Sequence, residues 1–333
     1  MEKYEEVMET QGTTHSFRTL SLSLAVAVVA FLPALPVNAQ AASAPKHFRL
    51  VPVREGIFAA IAAPGDRDSV GNAGFMVGKD GVVVIDSFAT SAGAEELLSE
   101  IRRLTPAPVR WVVNTHYHLD HVGGDAVFAR AGAVILGHEN LRAWIRTENL
   151  KWRAEIKPEE KAMLAGLALP DLTYRDGVTL WPGDRRVEVR FRPGHTGGDS
   201  IVVVPQADVV FAGDLFWNAT VPNTIDADTK AWAETLDGFL RDFPSAAFVP
   251  GHGEVGHALN VRFFRDYIAG LRQTVSQALE SGKSGRALVD AVLPLHRARF
   301  GAWTWFDQFA QKNIEWAEQE IRGTKRYAPT PGP

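Results

Sequence analysis

The chain has 333 residues, of which 46% are hydrophobic and 22% charged, and its net charge is −4 at pH 7. This composition suits a globular protein with a sizeable core and excludes a disordered, collagen-like or coiled-coil chain. The charge balance offers no basic field for nucleic acid, so we expect no nucleic-acid partner. The absence of cysteine excludes disulfides, thiolate zinc sites, iron–sulfur clusters and a cysteine nucleophile.

An apolar run occupies residues 20–32 and is followed by the small-residue stretch Val37-Asn38-Ala39. An apolar run of roughly 7–15 residues with small residues before a cleavage point is typical of a secretory signal peptide. We therefore predict a signal peptide over residues 1–39 and a periplasmic or secreted protein, with no membrane contact after cleavage. The alternative is an uncleaved anchor, although the run is short for a membrane span, which needs roughly 20 residues.

After the leader, short β-type stretches alternate with helical ones. Strands are predicted at residues 74–77, 81–86, 109–114, 133–136, 187–191, 201–204, 208–212 and 247–250. Helices are predicted at 92–104 and 230–241. Since both halves contain strands and helices, we expect an α/β protein with two facing sheets and helices outside them.

The last part of the chain has a different pattern. Residues 260–279 and 304–322 read as long amphipathic helices, and no strand is evident there. We predict a main domain over residues 40–256 and a C-terminal helical extension over residues 257–333 packed on it.

The strongest chemical signal is the stretch Asn114-Thr115-His116-Tyr117-His118-Leu119-Asp120-His121, which directly follows a predicted strand. On an extended segment, residues two apart point the same way, so His116 and His118 can bind one ion. Asp120 and His121 can then project from a following helical turn towards a second ion. So dense a group of imidazoles and carboxylates is costly to bury without a metal.

Three further stretches place His195, Asp214 and His252 at predicted strand ends beside glycine-rich turns. Glycine lets the backbone turn sharply, so each side chain can face a shared pocket. Together with the first motif, these residues supply seven ligands, a number that suits two ions with room for water or substrate.

Over about residues 51–256 these motifs resemble the metallo-β-lactamase superfamily. The resemblance implies an αββα four-layer sandwich with the site at one edge of the paired sheets. It also implies three sets of metal ligands: His116, His118 and His195 for the first ion, Asp120, His121 and His252 for the second, and Asp214 as the bridge.

The resemblance also has departures. The β-lactamases proper of this superfamily carry Cys, or no bridging ligand, where Asp214 stands. A bridging Asp is more similar to the glyoxalase II, lactonase and alkylsulfatase branches. The quorum-signal lactonases have a Tyr just after that Asp, where this chain has Leu215. The segment 211–240 and the helical tail look most like exported family members of poorly defined substrate.

Two divalent ions about 3.5–4 Å apart can share a hydroxide and lower its pKa towards 7. We therefore predict an exported dinuclear zinc-dependent hydrolase that cleaves an ester, lactone, thioester or β-lactam amide of a small molecule. Asp120 is the predicted catalytic residue, which orients the nucleophile and passes a proton. Zinc suits the imidazole and carboxylate ligands best, and iron or manganese also fit them.

Three alternatives stay open at this point: a β-lactamase proper, an iron-dependent sulfur oxidoreductase, and a non-catalytic metal-binding accessory protein of an exported redox system. The oligomeric state is open as well.

Around the predicted ligands, further candidates fall into three kinds. Asp86, Thr196 and Asp199 are candidate outer partners, residues that hydrogen-bond to a ligand and not to the metal. Trp217 and Asn218 are candidates for the substrate wall, and Trp303, Trp305 and Phe306 for a lid. The alternative for these aromatic residues is ordinary helix packing, which is the more common role of such residues.

Overall fold

Two β-sheets face each other in the computed structural model, which describes residues 45–150 and 155–327. The first sheet has seven strands in sequence order: β1 (Phe48–Arg54), β2 (Ile57–Ala62), β3 (Ala73–Gly78), β4 (Gly81–Ile85), β5 (Val109–Val113), β6 (Val134–His138) and β7 (Leu172–Tyr174). Strands β1 to β4 pair antiparallel, and β4 to β7 pair parallel.

The second sheet has five strands: β8 (Gly177–Leu180), β9 (Val187–Phe191), β10 (Ser200–Val204), β11 (Val209–Trp217) and β12 (Ala247–His252). Their spatial order is β12-β11-β10-β9-β8, with β11 and β12 parallel and the other pairs antiparallel. The central strands β4 and β10 are buried along their whole length, which explains their continuous runs of Val and Ile.

The helices lie outside the sheets and between strands. They are α1 (Ser91–Leu104), α2 (Leu119–Val122), α3 (Asp125–Arg130), α4 (Glu139–Trp144), α5 (Pro158–Gly166), α6 (Thr229–Asp242), α7 (Ala258–Glu280), α8 (Gly285–Phe300) and α9 (Phe306–Ile321). Helix α1 shows how the sequence specifies them: the side chain of Thr90 caps its first turn, and Ala94, Leu97 and Ile101 form its buried face.

Three apolar clusters define the layers. Side chains of both sheets, such as Val83 and Val202, fill the space between them. The outer face of the first sheet packs against α1 and α3, and that of the second packs against α6, α7 and the start of α9. This arrangement confirms the αββα sandwich and the C-terminal helices predicted from the sequence.

Some elements differ from the prediction. The first two strands, β1 and β2, and the short β7 and β8 were not identified, and neither was α8, which contains Pro294 inside the helix. Proline disfavours a helix interior, so the local pattern did not predict a helix there. The predicted signal peptide, residues 1–39, lies outside the described residues. Within the described ranges, no helix combines the length and apolarity that crossing a bilayer requires.

His296 on α8 is a buried titratable group far from the sequence motifs. Its Nε2 lies 2.9 Å from the Thr274 hydroxyl of α7, and its buried Nδ1 has no hydrogen-bond partner. Burial therefore favours the neutral ring and lowers the pKa of His296 to about 4, with a smaller contribution from Arg299.

A folded-state pKa below that of the unfolded chain gives stability that is present above about pH 6.5 and lost as pH falls towards 4. We expect His296→Gln to remove this loss, so that the difference in unfolding free energy, variant minus wild type, rises by about 2–3 kcal/mol from pH 7 to pH 4. Urea unfolding at several pH values measures it. A constant difference across that range would contradict the assignment.

Candidate metal centre

All seven predicted ligand side chains meet at one edge of the sandwich. Because the site forms where strands end, the ligands come from well-separated parts of the chain. His116 and His118 follow β5, Asp120 and His121 lie on α2, His195 follows β9, Asp214 lies in β11, and His252 ends β12.

The first group consists of His116, His118, His195 and Asp214. The Nδ1 of His118 lies 3.2 Å from the Nε2 of His116 and 3.0 Å from the Nε2 of His195. The Oδ2 of Asp214 lies 3.5 Å from the His116 Nε2 and 3.2 Å from the His195 Nε2. Three imidazole nitrogens and one carboxylate oxygen therefore lie close enough together to bind one ion.

The second group consists of Asp120, His121 and His252. The Oδ2 of Asp120 lies 3.5 Å from the Nε2 of His121 and 3.3 Å from the Nε2 of His252. The other carboxylate oxygen of Asp214, Oδ1, is 3.2 Å from the same nitrogen of His121 and 3.4 Å from that of His252. Asp214 thus directs one oxygen to each group.

The donor atoms fit a metal better than they fit one another. The Nε2 of His121 and the Oδ1 of Asp214 are buried, and neither has a hydrogen-bond partner. Buried polar atoms are normally satisfied, so these two atoms point to a cation between them. Gly251 permits this approach, because a Cβ there would lie 1.9 Å from the Asp214 Oδ1.

Asp86, at the end of β4, is the outer partner of His121. Its Oδ2 lies 2.9 Å from the His121 Nδ1, and it also accepts hydrogen bonds from the backbone N–H and hydroxyl of Thr115. This contact holds the His121 proton on Nδ1 and leaves Nε2 free to bind a metal. Asp86 has a φ of +58°, a left-handed conformation that Asp and Asn tolerate better than most residues.

Asp226 makes the same contact with His118 and was not identified from the sequence. Its buried Oδ2 lies 3.1 Å from the His118 Nε2 and accepts a 2.7 Å hydrogen bond from the Tyr117 hydroxyl. Nothing local distinguishes Asp226 from Asp228 two residues later, which caps α6. Only the fold brings the segment before α6 next to His118.

The charged groups of the site shift one another's pKa values. Burial would raise the pKa of Asp214, but the four surrounding histidines outweigh it and hold that pKa well below its usual value. Burial would lower the pKa of His252, but Asp214 and Asp120 raise it to about 9. Binding of a cation would therefore displace protons from histidine, as expected where metal and proton compete for one site.

A cavity of about 470 Å³ opens onto the two groups. Its floor includes His118, Asp120 and Asp214. Its walls are largely apolar and aromatic; they include Leu150, Met163, Trp217, Ile225, Trp305 and Phe309. A small molecule of mixed character can be enclosed here with its reactive group over the donor atoms.

Of the aromatic candidates, Trp217 and Trp305 line the cavity. Their ring centroids are 5.7 Å apart, and the Trp217 ring lies 4.0 Å from that of His252. The other candidates, Asn218, Trp303 and Phe306, do not line the cavity. The Asn218 amide donates to the Glu254 carbonyl, Trp303 packs on Phe300 and Tyr267, and Phe306 is buried in the core.

Thr196 and Asp199, the other predicted outer partners, bond to each other: the Thr196 hydroxyl and backbone N–H both donate to Asp199. They shape the turn that carries His195, whose Nδ1 has no hydrogen-bond partner.

The family model of the metallo-beta-lactamase superfamily matches residues 66–252, more than half of the chain and every predicted ligand. The chain belongs to the metallo-beta-lactamase superfamily. Its relatives in the superfamily include hydrolases, and the protein is a metal-dependent hydrolase.

Two curated relatives illustrate the breadth of this superfamily. A metallo-beta-lactamase type 2 from Bacteroides fragilis is 26% identical over 219 residues, which cover 62% of this chain and 78% of the relative. A linear primary-alkylsulfatase from Pseudomonas sp. is 24% identical and matches 66% of this chain but only half of its own length.

Among solved structures, a metallo-beta-lactamase from Pontibacter korlensis superposes with a TM-score of 0.56 at 24% identity. The match covers 67% of this chain and 99% of that structure. At this identity the likeness shows the superfamily fold alone.

Proposed function

We propose that the protein is an exported dinuclear zinc hydrolase that cleaves an ester, lactone, thioester or β-lactam amide of a small molecule. The observation that carries this proposal is the carboxylate of Asp214, which directs one oxygen to each of two ligand groups. His116, His118 and His195 would hold one ion, Asp120, His121 and His252 the other. The signal peptide predicted from the sequence over residues 1–39 supports export to the periplasm or beyond.

When bound, two such ions supply a hydroxide nucleophile at neutral pH and polarise the carbonyl that it attacks. The chain's own residues do the rest. Burial would raise the pKa of Asp120, but the charges of His121 and His252 outweigh it and hold that pKa below its usual value. Asp120 is therefore an ionised acceptor that keeps 24% of its side chain exposed towards the cavity, where it can orient the nucleophile and pass a proton.

Metal content and hydrolysis, measured together, test this proposal. Purified protein should contain about two zinc ions per chain. It should hydrolyse at least one member of a panel of aryl esters, lactones, thioesters and nitrocefin. Chelation should abolish turnover, and zinc should restore it. Iron with oxygen uptake, or bound metal without turnover on any substrate of the panel, would contradict the proposal.

The apolar cavity wall gives a second expectation. Trp305 is half-buried and contacts Trp217 and His252 without donating to any ligand. As part of the cavity wall, the Trp305 ring can contact the bound substrate and the transition state equally. Trp305→Ala should therefore raise KM about 3–10-fold with a smaller change in kcat. The matched control is Trp181→Ala, since Trp181 is exposed and lies outside the cavity wall. A loss confined to kcat would contradict this role.

A further inference from the structure

The segment between β11 and α6, residues 218–228, is held by the C-terminal helices; we refer to it as the connecting segment. Asn313 of α9 is fully buried, and its amide donates 2.8 Å to the Pro222 carbonyl. Its Oδ1 accepts from the backbone N–H and the hydroxyl of Thr224. One side chain of the helical extension thus bonds to the segment at both Pro222 and Thr224.

Lys325, just after α9, is a buried lysine that binds the same segment. Its Nζ donates to the carbonyls of Thr224 and Ala227 and lies 3.5 Å from the Glu320 Oε2. Only 8% of the residue is exposed, so its charge depends on these partners. The two carbonyls lie on either side of Asp226 in the chain. The hydrogen bonds from Lys325 therefore restrict the backbone that presents Asp226 to His118.

Glu320 of α9 anchors the far end of the segment. Its Oε1 accepts from the backbone N–H and hydroxyl of Thr229 at the start of α6, and from Arg272 of α7 at 2.7 Å. The connecting segment and the first residue of α6 are therefore bonded to the helical extension on both sides of Asp226.

We propose that Asn313 and Lys325 are positioning residues of the metal centre, which act through Asp226 on His118. The inference rests on the proposed function in one respect: it takes His118 as a metal ligand. A proton donated from the His118 Nε2 to Asp226 leaves Nδ1, the atom that faces His116 and His195, free to bind the ion. The helical extension is then a part of the site, not an appendage to it.

Metal affinity of the metal-free protein, measured by competition with a chromophoric chelator, tests the inference. Loss of the outer partner of a metal-binding histidine weakens metal binding about 10–100-fold, and we expect this for Asp226→Asn. Lys325→Met and Asn313→Ala should each weaken the affinity about tenfold and change the visible absorption spectrum of the Co²⁺-loaded protein. Asp226→Glu should recover part of the affinity that Asp226→Asn loses.

Two controls separate positioning from general loss of stability. Lys312→Met removes the same charge from an exposed site on α9, where Lys312 pairs with Glu315. Leu288→Ala opens a cavity among α7, α8 and α9 and destabilises the helical layer without touching the connecting segment. Both should keep the wild-type affinity and Co²⁺ spectrum.

The decisive comparison combines the variants. If Lys325 acts through Asp226, Lys325→Met should weaken metal binding no further once Asp226→Asn is present. Full additivity, or wild-type affinity in both Lys325→Met and Asn313→Ala, would overturn the inference. Wild-type protein that binds no metal, or His118→Ala that binds it normally, would instead refute the proposed function.

Discussion

Replacing Asp214 by asparagine is expected to lower turnover by well over a hundredfold and to reduce the bound metal from two ions to one or fewer. Loss of an outer partner of a metal ligand alone lowers metal affinity or activity about 10–100-fold. Asp214 lies between both ligand groups, so its loss should cost more. An amide offers one neutral oxygen where the carboxylate directs two charged oxygens at four histidines. Metal analysis and steady-state kinetics on the best substrate of the panel measure both effects.

Asp199→Asn is the matched control for Asp214→Asn. Asp199 is also buried, and burial raises its pKa well above the usual value. It belongs to neither ligand group, and the control should retain both ions. If Asp214→Asn kept two ions and most of its activity, Asp214 would not be the bridge.

Asp86→Asn is expected to weaken binding of the second ion about 10–100-fold with little change in the fold. The asparagine keeps the left-handed backbone at this position but loses the negative charge that faces the His121 Nδ1. Asp86→Ala should lose the same affinity. It should also destabilise the metal-free protein by about 1–3 kcal/mol, because the buried backbone N–H of Thr115 loses its acceptor. Chelator competition and urea unfolding separate the two effects.

Asp80→Asn provides the control for the Asp86 variants, since Asp80 is exposed in the turn between β3 and β4. It should bind both ions as the wild type does. Wild-type affinity for the second ion in Asp86→Asn would show that His121 needs no charged outer partner.

Much of the fold was predictable because its signals are local. Fully buried strands such as β4 and β10 read as runs of Val and Ile, and α1 shows the 3.6-residue period of its buried face. The strands β1 and β2 gave weaker signals: β1 carries Arg and Pro among its apolar residues, and β2 is rich in alanine. In α8, Pro294 concealed a helix that tertiary packing stabilises.

The seven predicted ligands were visible for a different reason: histidine and aspartate cluster just after β5 and recur beside glycines in or after later strands. Neighbouring strands then bring these positions together. Their outer partners divide into two cases. Asp86 ends a strand and was a candidate from the sequence. Asp226, Asn313 and Lys325 depend on contacts between distant segments, which no local pattern records.

Anomalous diffraction at the zinc absorption edge, from crystals of the zinc-loaded protein, tests most directly whether two ions share Asp214. We expect two peaks about 3.5–4 Å apart, one beside His116, His118 and His195 and the other beside Asp120, His121 and His252. Each peak should contact a different oxygen of Asp214. A single peak, or two peaks that do not share Asp214, would contradict this expectation.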